Sequence, residues 1–146
     1  MKNNNGFTLL ELILCISIMT LILSIPAFKM NIFQGLKEKQ EIREFVKDIN
    51  YARNRAITEG VSHSVLIDTK TNSYTLYKLG DGIKKQIKHK ELQESLQIEW
   101  SNTGEVVFNL SGAVYGAGTI RLKNSKGKVI EIAITPVTSR VNVSYK

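Results

Sequence analysis

The chain has 146 residues, with Lys+Arg 20 against Asp+Glu 13 and a formal net charge of +7. That length suits one ordinary domain, and hydrophobic residues at 42% with charged residues at 23% exclude a disordered chain. The single cysteine, Cys15, excludes an internal disulfide and thiolate zinc sites, and His63 with His89 are too few for a histidine-rich metal centre.

The first element is apolar. Phe7 to Phe28 reads FTLLELILCISIMTLILSIPAF, with Glu11 its one formal charge. A helix of that length reaches about 33 Å, enough to cross a hydrocarbon core of about 30 Å. A domain this small could hardly surround such a helix on all sides, so a buried soluble helix is the weaker reading. A secretory signal peptide is also disfavoured. The run is too long, and Ser24-Ile25-Pro26-Ala27 puts a bulky Ile25 where a small residue is wanted. The segment reads as a retained membrane anchor.

Its orientation is open on residues alone. Lys2 precedes the span, whereas Lys29, Lys37, Lys39 and Arg43 follow it, which by the positive-inside tendency would leave the C-terminal part in the cytoplasm. Glu11 is the odd residue, because a carboxylate inside a membrane costs about 2.5–3.5 kcal/mol on insertion scales. No Lys, Arg or His lies elsewhere in the span. Its partner would come from another chain or from a terminal amine freed by cleavage; a protonated acid near the membrane edge is the alternative.

The helix is expected to continue, with Pro26 and Gly35 as candidate bends. From Ile42, the residues Phe45, Val46, Ile49, Ala52 and Ala56 recur at amphipathic spacing, with Glu41, Lys47 and Asp48 assigned to the opposite face. This stripe reads as core packing against a sheet. Gly60 is the expected stop.

Short strands follow. Val61–Asp68 and Tyr74–Leu79 flank a hairpin turn at 69–73, and Gly80-Asp81-Gly82 is a second turn. Leu96–Trp100 and Glu105–Phe108 are expected to form another hairpin about Ser101–Gly104. Gly112, Gly116 and Gly118 punctuate a loop before Thr119–Leu122. Asn124–Gly127 turns the chain into Lys128–Ile134, and Arg140–Tyr145 is a last edge strand. A helix followed by an antiparallel sheet gives the α+β class, without a repeat or a second domain.

Lys84, Lys85, Lys88, His89 and Lys90 form a basic cluster. It reads as a solvated loop; contact with nucleic-acid phosphates or anionic wall polymers is the alternative, and no aromatic residue lies nearby for base stacking. Gly112–Gly118 lacks the residues of a phosphate loop. Ser64, Ser73, Ser111, His63 and Asp68 carry no nucleophile motif, so no enzyme activity is expected.

The order Lys2-Asn-Asn-Asn-Gly6-Phe7-Thr8-Leu9-Leu10-Glu11 resembles the class III leader of type IV pilins and type II secretion pseudopilins. In that family a short basic leader ends in glycine, phenylalanine follows, and a glutamate stands five residues into the mature chain. The resemblance implies cleavage between Gly6 and Phe7 by a prepilin peptidase, N-methylation of Phe7, and a role for Glu11 in assembly opposite a neighbour's Phe7 amine. Glycine suits such a cleavage because it offers no side chain and a flexible approach. The family's topology places the leader in the cytoplasm and the globular domain outside the cytoplasmic (inner) membrane.

Farther on, Val106–Gly112, Gly118–Leu122, Ile132–Ile134 and Ser139-Arg140-Val141 resemble the GspH/FimT domain of minor pseudopilins, and ComGD-type competence minor pilins look similar. Ser139 stands where that family often has a glycine before arginine. The implied organisation is leader 1–6, transmembrane and filament-core helix 7–28, amphipathic continuation 29–60, and a β-rich globular domain 61–146, in a pilin-like α+β fold. The implied function is a minor subunit of a type II secretion pseudopilus or type IV pilus; a competence pilus that takes up DNA is the alternative. The implied partners are the prepilin peptidase, other pilins in a filament and the membrane, with DNA added for a competence pilus. For that case Lys84, Lys85, Lys88, Lys90 and Arg140 are the candidate DNA or anion contacts. No cofactor or metal is implied.

Overall fold

The computed structural model describes residues 8–80 and 82–146, except the side chains of 24–34. One helix, α1 (Leu9–Glu59), precedes all the strands. The chain divides into two compact units, Met1–Lys37 and Glu38–Lys146.

In the first unit every described side chain from Thr8 to Leu23 is exposed, and most are Leu, Ile or Met. No helix qualifies as a membrane span on the described residues. Part of the expected anchor Phe7–Phe28 lies outside them. Within the described part, Ser17 Oγ donates to Leu14 O at 2.8 Å and Thr20 Oγ1 to Ser17 O at 2.9 Å. The polar atoms of these hydroxyls are therefore satisfied by the helix itself, as an apolar environment requires.

The second unit starts with the last turns of α1, whose Ile42, Phe45, Ile49, Ala52 and Ala56 are buried, as the spacing predicts. The helix ends at Gly60, where φ is +62°. Glycine reaches this left-handed conformation without the strain a Cβ would bring, which explains the stop.

Among the described residues, nine strands then form two antiparallel sheets. β1 (Ser62–Asp68), β2 (Ser73–Gly80), β3 (Ile83–Glu91), β5 (Glu105–Phe108) and β6 (Val114–Tyr115) make a five-stranded sheet in the order β3-β2-β1-β5-β6. β4 (Leu96–Ser101), β7 (Thr119–Asn124), β8 (Val129–Ile134) and β9 (Val141–Tyr145) make a four-stranded sheet in the order β4-β7-β8-β9. Alternation sets the inner faces: Val65, Ile67, Tyr74, Leu76, Val106 and Phe108 from the first sheet, and Leu96, Ile98, Ile120, Leu122, Ile130, Ile132 and Ile134 from the second. With the α1 residues they form one core. Phe45 stacks on Tyr74 with ring centroids 4.3 Å apart.

The structure corrects five expectations. Leu96–Trp100 and Glu105–Phe108 are not a hairpin: β4 pairs with β7 and β5 with β1, so the chain changes sheets at Asn102–Gly104. The basic cluster is not a loop but the edge strand β3, paired with β2 through a bulge at Ile87. The strands form two sheets rather than one, and the glycine-rich loop contains the short strand β6. Finally, Glu41 is buried at 6% exposure instead of lying on an outer charged face, and Glu38 is buried with it. Their carboxylates are occupied. Gln93 N donates to Glu41 Oε2 at 3.1 Å, Asn124 Nδ2 to Glu38 Oε2 at 3.1 Å, and Ser125 Oγ to Glu38 Oε1 at 2.8 Å.

Candidate functional site

Gly6 and Phe7 lie outside the described residues. Glu11 lies inside them, in the first turn of α1. Its N–H donates to Thr8 Oγ1 at 3.3 Å, and its Oε2 accepts from Thr8 N at 3.3 Å. This reciprocal pair satisfies donors that the start of a helix otherwise leaves free. In this conformation one carboxylate oxygen of Glu11 therefore serves its own helix, and the side chain remains exposed. The Thr8-Leu-Leu-Glu11 spacing carried that signal.

The lysines of β3 meet the acids of α1. Because Lys88 pairs with Leu76 and Lys90 with Tyr74 across the strands, both project on the inner face toward the helix. Lys88 Nζ donates to Glu44 Oε1 at 2.8 Å and to Asp48 Oδ2 at 2.7 Å, and Lys90 Nζ lies 3.4 Å from Glu44 Oε2. Tyr74 Oη donates to the same Asp48 oxygen at 2.6 Å. The Lys88 bond holds Glu44 below the usual carboxylate range. Burial opposes the charged form of Lys88, but the two carboxylates outweigh it and keep the ammonium above its ordinary value. Burial and the Asp48 bond push the Tyr74 hydroxyl far up, so it stays a neutral donor.

Lys84 projects from the opposite face. It lies over the Tyr77 ring, 4.5 Å from the centroid, and reaches Glu105 Oε1 at 2.7 Å. Burial resists ionisation of Glu105, yet the Lys84 bond prevails and lowers its pKa. Lys85 is exposed and has no carboxylate partner among the described residues. Arg140 precedes β9, in the other sheet. The candidate contacts are thus split between faces and sheets, and Lys84, Lys88 and Lys90 are already paired.

The missed residues are those acids. Glu38, Glu41, Glu44 and Asp48 recur at steps of three and four, beside the apolar stripe, and the same spacing rule that found the stripe could have placed them against the sheet. Arg140 has a second point of interest. The preceding Ser139 has φ +51° and is buried at 2% exposure, so this serine adopts the left-handed backbone that glycine favours. As for catalysis, His63 and Ser64 are successive in β1 and face opposite sides of the sheet. His63 Nδ1 is hydrogen-bonded to Val61 O at 2.8 Å, with Glu59 Oε2 3.6 Å from its Nε2.

The chain matches two family models. Residues 1–25 match the prokaryotic N-terminal methylation motif, and residues 41–138 match type II transport protein GspH. No curated protein matches the sequence. Among solved structures, the minor pseudopilin EpsH of the Vibrio cholerae type 2 secretion system superposes with a TM-score of 0.64 at 18% identity, over 75% of this chain and 97% of that one. A crystal structure of the same pseudopilin gives 0.60 at 16% identity, over 73% and 92%. The type IV minor pilin FimU of Pseudomonas aeruginosa gives 0.58 at 14% identity, over 76% and 90%. At these identities the likeness concerns the fold.

Proposed function

Because the chain belongs to the type II transport protein GspH family, we propose that it is a minor pilin or pseudopilin, a structural subunit of a type II secretion pseudopilus or a type IV pilus. The observation that carries this reading is one polypeptide with both an N-terminal methylation motif and a GspH domain. The exposed apolar side chains of Leu9–Leu23 support a segment that first anchors the chain in the membrane and later packs among other helices. In this reading a prepilin peptidase cuts between Gly6 and Phe7, the Phe7 amine is methylated, and the globular domain lies outside the cytoplasm. Glu11 then offers a negative charge to a neighbour's amine in a low-dielectric filament core.

The competence reading draws on the basic β3 cluster, and Glu44, Asp48 and Glu105 neutralise most of it. Assembly is therefore the better supported role.

The test is mass spectrometry of the protein recovered from cells with an active peptidase. The mature chain should begin at Phe7 with a methylated amine, and Gly6→Val should leave the precursor uncut. An intact Met1 leader on the unsubstituted protein would overturn the proposal.

A further inference from the structure

Between Glu38 and Asp48, the acids and bases of α1 are sorted onto opposite sides. Glu38 and Glu41 are buried in hydrogen bonds to the strand connections, and Glu44 and Asp48 hold Lys88. Every carboxylate of this stretch is thus directed at the β-structure. Lys39, Arg43 and Lys47 are left exposed, with no carboxylate partner among the described residues.

These cations are four residues apart, so they form one ridge with a step of about 6 Å. Like charges at that spacing destabilise a helix, and an ordinary solvated helix offsets them with acids at the same interval. Here those acids are spent on the β-structure, Glu44 and Asp48 on β3 and Glu38 and Glu41 on the strand connections. The same contacts that neutralise the strand's lysines leave the helix ridge as an unshielded positive surface.

We infer that the Lys39–Arg43–Lys47 ridge docks against an acidic face of the neighbouring subunit in the filament. This rests on the reading of the protein as a filament subunit. Charge complementarity is the argument for the occupant: a rigid positive line on a helix suits carboxylates displayed by another folded subunit, fixing register more than affinity. A nucleic acid is the poorer fit. Proteins that grip it through its backbone collect about 6–10 phosphate contacts or add stacking aromatics, and none of the exposed side chains between Lys39 and Lys47 is aromatic.

The test uses the full chain in cells that assemble the filament. Reversing the ridge with Lys39→Glu, Arg43→Glu and Lys47→Glu should lower recovery in the sheared filament fraction by about ten-fold or more, with leader cleavage unchanged. Exchanging lysine and arginine at the same positions should preserve recovery. A photocrosslinker at the exposed Gln40, which leaves the ridge charges in place, should link to an acidic segment of another filament subunit even if the reversed chain folds poorly. Equal recovery of the reversed and unsubstituted chains would overturn the docking site alone. So would crosslinks that disappear on nuclease treatment, which would assign the ridge to a nucleic acid instead. Absence of the unsubstituted chain from the filament fraction would overturn the filament reading and this inference with it.

Discussion

Asn72, at the tip of the β1–β2 hairpin, accepts a hydrogen bond from the Ile98 N–H of β4 at 2.8 Å. Its Nδ2 also donates to Leu96 O at 2.9 Å, and its own carbonyl accepts from Leu92 N at 2.9 Å. One turn residue of the first sheet therefore satisfies the backbone of the second sheet's edge strand. Its φ of +51° makes asparagine apt for the position, since this side chain tolerates the left-handed region better than most.

Replacing Asn72 should loosen the junction between the sheets. Asn72→Gly keeps the backbone conformation but leaves the Ile98 N–H and the Leu96 carbonyl unpaired, at a cost of about 2–3 kcal/mol. Asn72→Ala adds the strain of a Cβ at positive φ, about 1 kcal/mol more. Urea denaturation of the purified protein would rank the two. Equal midpoints for Asn72→Gly and the unsubstituted chain would show that the side-chain bonds contribute nothing.

The Lys88–Glu44 pair should give the stability a plateau in pH. Glu44 is lowered from 4.5 in the fold, so its contribution is complete above that value and is lost as acid carries the pH down through the folded pKa. Lys88 is raised from 10.5, so its contribution is complete below that value and is lost as alkali carries the pH up through the folded pKa. Thermal unfolding against pH should therefore lose part of its acid limb in Glu44→Gln and part of its alkaline limb in Lys88→Met. Both residues are partly exposed, so each change should cost only about 1 kcal/mol at neutral pH. Unaltered limbs would count against the pair.

Glycines at positive φ should differ according to what surrounds them. Gly116 and Gly127 have φ of +74° and +76°, but only at Gly116 would a Cβ meet a fixed group, the Glu105 carbonyl oxygen at 2.5 Å. Gly127→Ala should cost about 1 kcal/mol, the conformational part alone. Gly116→Ala should cost clearly more, because backbone must shift. Calorimetry would compare them, and equal melting temperatures would refute the steric argument.

At the start of α1, capping and charge can be separated. Glu11→Gln keeps an acceptor for Thr8 N, so the helix start and membrane insertion should persist while incorporation into filaments drops. Thr8→Ala keeps the charge and loses the cap, at about 1 kcal/mol of local helix stability, and should incorporate much better than Glu11→Gln. Quantifying each chain in sheared filaments checks this. Normal recovery of Glu11→Gln would show that charge does not recruit the subunit.

The sequence displayed the helix and most strands because those elements repeat apolar residues at their own period. Ile42–Ala56 did so at helical spacing, and Val129–Ile134 alternated at the period of a strand with one buried face. β3 was illegible for a physical reason: in its IKKQIKHKE run Lys88 and Lys90 face acids on α1, and an edge strand whose inner residues form ion pairs has no apolar alternation to show. The separation of β4 from β5 was hidden because hairpin reasoning sees neighbours along the chain, whereas β5 takes its partner from β1. In the candidate site, the Gly6-Phe7-Glu11 order was visible as a motif. The partners of the lysines were not, since pairing across the helix–sheet interface depends on register.

The β1–β5 pairing also bears on the order of folding. His63 meets Phe108 and Leu66 meets Glu105, so this contact closes a loop that contains β2, β3 and β4. The entropy of that closure must be met before the middle of the sheet is held on both sides. Until Glu105–Phe108 is available, β1 has a bare apolar edge, and β4 waits longer still for β7. A partly made chain is therefore expected to hold β1, β2 and β3 without the partner that closes the other side of β1. Both sheets are expected to be completed only by strands from the last third of the chain, β5 for the first and β7 to β9 for the second.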